Sequence, residues 1–226
     1  MGRIKYFLIL ICMSLLVGGC AFTKMETARQ LDGGEAVFSG SLDWPGVGPV
    51  PRASAGVAYG LGGGGDMSAH IGTTVFSGNA GVGGRVYLSE RFNLGLQADA
   101  MTILTDFGMP EIRRREAAII SAVPRLTTAV KDGEFLYGGL QANVFNGVER
   151  VHEGGVNAEF LGVAFGAIVG VDYDFRDNPL GIQAELIIYP AGLDEGGRPT
   201  IIGQQQTIPA VAQFNVGLNY RRPPAP

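Results

Sequence analysis

The residue with the best neighbours for catalysis is His70, one of two histidines in the 226-residue sequence. Ser68 precedes it by two positions, so in a β-strand both side chains would lie on one face. Asp99, Asp172 and Glu185 have the same inward parity in the strands predicted below. A nucleophile, a base and an orienting carboxylate could be assembled from such a set.

The same residues are also expected in a hydrogen-bonded polar interior, and the sequence favours this interpretation. Arg85, and Arg125 after it, are the cations available to pair with Asp99 or Glu185. We therefore assign no catalytic residue and predict a candidate interior polar cluster formed by Ser68, His70, Arg85, Asp99 and Glu185. His152 lies between charged residues in a predicted loop, so we expect it to be solvated, and we predict no metal site and no cofactor.

Two further motifs have simple interpretations. The glycine run at 60–65 lacks the Lys-Ser/Thr ending of a phosphate-binding loop, so it predicts a turn. Arg113, Arg114 and Arg115 form the only cationic run in the body of the chain. Guanidinium groups pair well with phosphates, so this run is a candidate contact for lipopolysaccharide, with a merely solvated loop as the alternative. A net charge of −4 gives no reason to expect nucleic acid as a partner.

The first twenty residues have the plan of an export signal. Arg3 and Lys5 precede an apolar run at 6–17, and small residues follow at 18 and 19. The sequence Val17-Gly18-Gly19-Cys20 resembles the bacterial lipobox. That resemblance implies cleavage between Gly19 and Cys20, a lipid on the cysteine, and recognition by the lipoprotein-processing machinery. In lipoproteins an aspartate directly after the cysteine retains the protein in the inner membrane. Here Ala21 occupies that position, which implies delivery to the outer membrane.

From Glu35 to Tyr220 apolar residues recur at every second position, which is the signal of β-strands. The longest stripe alternates apolar and small or acidic residues from Leu161 to Phe175. The weakest strand lies at 119–130, because Pro124 cannot donate a ladder hydrogen bond. After residue 20 no apolar stretch reaches the ~20 residues of a spanning helix. The pattern predicts an all-β chain, a single antiparallel up-and-down β-barrel of about 8–10 strands.

Composition and connections favour an apolar stripe that faces lipid. The chain has 36 glycines and only 17% charged residues. Predicted tight turns alternate with long links at 105–116, 146–157 and 190–206, as in barrels with short periplasmic turns and longer outer loops. Outward aromatic residues are expected at the short-turn ends of strands, where rings favour the headgroup region. These are Tyr59, Phe92, Tyr173, Phe175 and Tyr220.

This pattern resembles the small outer-membrane β-barrel superfamily, which implies insertion by the barrel-assembly machinery. The expected organisation is a signal peptide at 1–19, a lipidated N-terminus and flexible tether at 20–34, a barrel at 35–220, and a flexible tail at 221–226. The expected function is that of a lipid-anchored outer-membrane barrel with a structural or surface-interaction role and no enzymatic activity. Two alternatives remain open: a lipid-tethered soluble barrel that binds a small hydrophobic ligand, and a lipid-modifying barrel enzyme.

Overall fold

The chain folds into a closed antiparallel β-barrel of ten strands in a computed structural model. The structure describes residues 27–45, 51–74, 77–105, 113–151, 155–175, 178–189, 192–193, 199–200 and 211–223. Each wall strand pairs with its neighbours along the chain, and pairing of the first strand with the last closes the ring. The predicted all-β, single up-and-down barrel is confirmed. Among the described residues no helix is both long and apolar enough to cross a membrane.

The wall strands differ in length, and a small ladder stands apart from them. The wall consists of β1 (Ala36–Pro45), β2 (Arg52–Gly62), β3 (Gly65–Thr73), β4 (Ser77–Tyr87), β5 (Phe92–Thr105), β6 (Arg113–Lys131), β7 (Glu134–Val151), β8 (Gly155–Asp174), β9 (Leu180–Tyr189) and β12 (Val211–Arg222). Strands β10 (Gly192–Leu193) and β11 (Pro199–Thr200) form the separate two-stranded ladder.

Period-two alternation determines which side chains face the lumen and which face outward. In β3 the residues Asp66, Ser68 and His70 are buried inside, while the alternating residues Met67 and Ile71 are exposed outside. The outward face carries exposed large apolar side chains around the whole ring. The barrel is therefore apolar outside and polar inside, the reverse of a soluble barrel.

Strands β5 to β8 extend beyond the others at the end opposite the tight turns. The link expected at 105–116 is strand at 105 and from Arg113 onward, where β6 begins. Most of the link expected at 146–157 is strand, because β7 continues to Val151 and β8 begins at Gly155. Charged residues interrupt the alternation there, but the backbones of β5 to β8 continue to pair. The weakest predicted strand exists, and its ladder with β7 continues on both sides of Pro124.

Candidate functional site: a polar lumen closed at one end

The lumen is lined by buried polar and charged side chains. They include Asp43, Arg52, Asp66, Ser68, His70, Arg85, Asn93, Asp99, Ser121, Arg125, Gln141, Asn143, Asp172, Gln183, Glu185, Gln213, Asn215, Asn219 and Arg221. All five residues of the predicted interior cluster lie in this lining. The register divides that cluster among three separate groups of contacts.

The first group is His70 with Asp99. Nε2 of His70 lies 2.6 Å from Oδ1 of Asp99, so this nitrogen carries the proton and donates it to the carboxylate. Gly81 faces both side chains, and a Cβ at that position would overlap them. Neither Ser68 Oγ nor His70 Nδ1 has a hydrogen-bond partner among the described residues, so the serine is not bonded to the histidine.

Among the described residues, this group therefore does not form the serine-to-base hydrogen bond of a nucleophilic triad. A serine nucleophile must reach its base by a hydrogen bond of about 2.6–3.2 Å. Ser68, His70 and Asp99 are moreover only 8%, 5% and 6% exposed, which leaves a lipid substrate little access to them.

The second group is a network around Glu185. Oε2 of Glu185 lies 3.5 Å from the guanidinium of Arg125, and Tyr137 donates a 3.0 Å hydrogen bond to the same oxygen. Asn215 donates to Oε1 at 3.1 Å, and Gln183 donates to the tyrosine oxygen at 2.7 Å. Four strands thus converge on one buried carboxylate.

A glycine in the neighbouring strand makes room for this network. Gly170 lies directly opposite Tyr137 in the register of β7 and β8. A Cβ at position 170 would overlap the phenol ring. The absent side chain lets the ring lie across the wall and direct its hydroxyl towards Glu185.

The third group joins Arg85 to Asp66 by two hydrogen bonds of 3.0 and 2.7 Å. The sequence suggested Asp99 or Glu185 as partners for Arg85, whereas the ion pair forms with Asp66. The reason is register, because Asp66 and Arg85 are directly opposite in the hairpin of β3 and β4. The sequence contained a signal for this pair. The two residues have opposite charges and both occupy inward-facing positions in adjacent strands of one hairpin.

The chain before β1 enters the short-turn end of the lumen. Ala28 donates its backbone N–H to Oδ2 of Asp172 at 2.8 Å, and Arg85 donates to the carbonyl of Thr27. Tyr87 donates to the carbonyl of Arg29 at 3.1 Å. Because β4 and β8 are four strands apart in the ring, these bonds tie the segment to well-separated parts of the wall.

We call residues 27–35 the plug. A flexible tether was expected here, but its described residues are fixed: Leu31 is only 1% exposed and packs with Val37 and Ala58. The plug contributes two residues to an ionic cluster, in which Arg29 pairs with Glu35 and lies 3.8 Å from Asp174. Side chains that are distant in sequence hold the plug in place. The sequence of the plug itself has no periodicity, so it could not predict this ordered conformation.

The end of the chain takes part in the same cluster. Arg221 pairs with Asp174 and lies 3.5 Å from Asp172. A flexible tail was expected from residue 221, but β12 continues to Arg222 and Arg221 is buried. The buried Asp172 and the half-buried Asp174 at the base of the lumen thus have this arginine as a counter-charge.

We expect the substitution Leu31→Asp to release the plug, because burying an unpaired carboxylate among apolar side chains costs several kcal/mol. Trypsin should then cleave the folded barrel after Arg29 at least about tenfold faster, the change that ~1.4 kcal/mol produces in an opening equilibrium. Gln30→Asp is the matched control. Gln30 is exposed, and this substitution adds the same charge one position away from Leu31. Equal cleavage of both variants and the wild type would show that the plug is not held in the lumen.

The arginine run lies at the opposite end, where β6 begins. The register places Arg113, Arg114 and Arg115 opposite Val151, Arg150 and Glu149 of β7. Arg114 and Arg150 are therefore cross-strand neighbours. His152, Gly19 and Cys20 lie outside the described residues, as does the predicted signal peptide. Among the described residues no cluster of potential metal ligands occurs.

Comparisons with known proteins find similar barrels but no relative in sequence. No protein-family model and no curated protein sequence matches the chain. The translocator domain of the autotransporter NalP from Neisseria meningitidis matches with a TM-score of 0.44 and 11% identity, over 98% of this chain and 96% of that chain. Ail of Yersinia pestis matches with a TM-score of 0.42 and 11% identity, over 85% and 100%. An outer-membrane channel from Pseudomonas putida matches with a TM-score of 0.42 and 10% identity, over 88% and 100%.

Proposed function

We propose that the protein is a lipid-anchored integral β-barrel of the bacterial outer membrane, with a structural or surface-interaction role and no catalytic activity. The observation that carries this proposal is the arrangement of its two faces. The outward face is apolar around the ring, whereas the lumen contains ion pairs and amides. In water such an outward face would be an exposed apolar surface far beyond what soluble monomers tolerate.

The height of the apolar surface fits a bilayer. In β6 the outward residues Ile120, Leu126 and Val130 are 62%, 63% and 60% exposed. The ten steps from Ile120 to Val130 rise about 25 Å in a strand tilted by roughly 40°, which equals the apolar band of outer-membrane barrels. Exposed aromatic rings at the short-turn ends of strands support a headgroup boundary there. They are Tyr59, Tyr173, Phe175 and Tyr220.

The contents of the lumen support a role other than transport or ligand storage. Buried polar side chains fill it, and the plug enters at its short-turn end. A tethered soluble barrel for a hydrophobic ligand would need its apolar stripe inside, but the stripe faces outward. The missing bond between Ser68 and His70 likewise supports a non-enzymatic role.

The lipid anchor rests on the lipobox and is consistent with the position of the plug. Cys20 is seven positions before Thr27, which lies inside the short-turn end of the barrel. A fully extended chain of that length reaches about 25 Å. Two or more acyl chains on the cysteine would hold the protein permanently at the membrane, in addition to the barrel itself.

The arginine run supplies the proposed contact with lipopolysaccharide. Arg114 has the same parity as the outward residues Ala118 and Ile120, and its neighbour Arg150 has the parity of Val144. Both positions lie beyond the apolar band, six residues further along their strands than Ile120 and Val144. Like charges at directly opposite register positions of an antiparallel pair are unfavourable, so we propose that a bound phosphate offsets the charge at these two positions.

We expect the double substitution Arg114→Gln and Arg150→Gln to weaken lipopolysaccharide binding about tenfold or more, since a charge-assisted hydrogen bond contributes roughly 1.5–3 kcal/mol. The measurement is the amount of lipopolysaccharide retained by the purified barrel in mild detergent as salt is raised. Arg222→Gln is the control, because Arg222 is an exposed arginine at the short-turn end. Equal retention by all three proteins would contradict the proposed contact.

A further inference from the structure

The ladder between β6 and β7, which we call the β6–β7 seam, has a gap inside the apolar band. It runs to Ala122, stops, and resumes at Arg125. Pro124 lies in this gap, roughly 18 Å above the short-turn end of its strand at the usual tilt. The other nine ladders of the described wall are continuous within the band.

The gap corresponds to one missing hydrogen bond. Proline has no backbone N–H, and the ladder with β5 is continuous through Pro124, so the missing donor faces β7. In an antiparallel ladder alternate pairs exchange two hydrogen bonds. At the pair formed by Pro124 and Leu140 the proline carbonyl can still accept, but the carbonyl of Leu140 lacks its ladder donor. Lipid offers no water to replace that donor.

Side chains add little to the contact between the two strands beside the gap. Cross-strand side-chain pairs stabilise a sheet, and pairs that contain glycine or two alanines contribute little. The pairs next to the gap are of this kind: Ala122 with Ala142, Arg125 with Gly139, and Leu126 with Gly138. A Cβ at position 139 would overlap the carbonyl of Pro124, so no larger side chain fits there.

On the luminal side, two buried polar side chains above the gap are not joined across the seam. Ser121 and Asn143 are directly opposite each other and fully buried. Neither Ser121 Oγ nor Asn143 Nδ2 has a hydrogen-bond partner among the described residues. Below the gap the strands are tied, because the guanidinium of Arg125 lies 5.2 Å from the ring centroid of Tyr137. The weak part of the seam therefore extends from Ser121 to Arg125.

We propose that the barrel wall opens locally at the β6–β7 seam, and that water from the lumen then binds the carbonyl of Leu140. Ser121 and Asn143 supply a donor and an acceptor on the luminal side, the kind of polar partners that hold buried water. A purely structural barrel needs no such opening. The seam thus adds a route between the polar lumen and the bilayer at a depth where the rest of the wall is closed.

The test is hydrogen exchange of single backbone amides, measured by NMR on the barrel in lipid nanodiscs and corrected for intrinsic rates. Along β7 the N–H groups of Leu140 and Ala142 face β6, whereas those of Gly139 and Gln141 face β8. We expect the two amides that face β6 to exchange at least about tenfold faster. Equal rates for all four amides in the wild type would overturn the inference.

Two sets of variants test the cause of the opening. Pro124→Ala supplies the missing donor and should remove the difference in rate, while Pro199→Ala, at a proline outside the wall, should leave it unchanged. A folded Pro124→Ala barrel that keeps the difference would contradict the assignment.

A disulfide across the seam gives a second check that does not depend on the proline variant. Ala122 and Ala142 form a hydrogen-bonded pair, whose Cα atoms lie about 5.5 Å apart, a separation that suits a disulfide. In the double variant Ala122→Cys and Ala142→Cys, oxidation should slow exchange at Leu140 about tenfold or more, and reduction should restore it. Equal exchange in the two redox states would show that the seam does not open.

Discussion

Replacement of Glu185 by leucine is expected to reduce the free energy of unfolding by about 3–5 kcal/mol, because it removes one partner of a buried ion pair. Glu185 is the partner of Arg125 and accepts hydrogen bonds from Tyr137 and Asn215. All four side chains are buried in the lumen or at its edge. The measurement is the urea midpoint of the barrel refolded in detergent, followed by its heat-dependent gel mobility.

A double variant separates loss of charge balance from loss of packing. Combining Arg125→Met with Glu185→Leu removes both charges and should recover much of the stability, since apolar replacements of a buried ion pair are often tolerated. A single Glu185→Leu variant as stable as the wild type would show that the network does not stabilise the lumen. The double variant could instead lose more unfolding free energy than the two single variants lose when their losses are added. That result would show that the charge pairing does not stabilise the lumen.

The substitution Val169→Arg is expected to destabilise the barrel by about 2–4 kcal/mol, the cost of an arginine on the lipid face at the bilayer midplane. Val169 is 48% exposed on the outward face of β8. It lies five residues above the short-turn end of its strand, a rise of roughly 13 Å at the usual tilt, which is the middle of the apolar band. The measurement is the unfolding midpoint of barrels refolded into liposomes.

The matched control places the same charge at a different depth. Leu180 is 42% exposed where β9 begins, and an arginine near the interface costs only about 0–1 kcal/mol. We therefore expect Leu180→Arg to fold nearly as well as the wild type. If the two substitutions reduced the free energy of unfolding equally, the apolar face would not be in contact with the bilayer, where the cost of an arginine depends on depth.

The sequence predicted the strands and their two faces because strand parity is a local property. Alternation over five or six residues places Ser68 and His70 inside and Met67 outside without any knowledge of neighbours. The paired partners were harder to predict. Glu185 meets Arg125 across the lumen, and the two residues are 60 positions apart in sequence. Only the hairpin pair of Asp66 and Arg85 was within reach of a register argument.

The plug and the upper parts of β6 and β7 were missed for a different reason. Thr27 to Gly34 have no periodicity, and their order comes from distant side chains such as Asp172, which is 144 positions from Ala28. In the upper parts of β6 and β7, charged residues break the alternation, so the sequence indicates loops there. The backbones nevertheless pair with their neighbours, because each strand extends the ladder of the next.

The central claim is that the body of the protein spans the membrane by itself. The most direct measurement expresses the wild type beside a Cys20→Ala variant with a type I cleavage site and separates outer membranes from soluble periplasm. We predict that the unlipidated barrel stays in the outer membrane after washing with alkaline carbonate and migrates with heat-dependent gel mobility. Recovery of that variant as a soluble periplasmic protein would contradict the account.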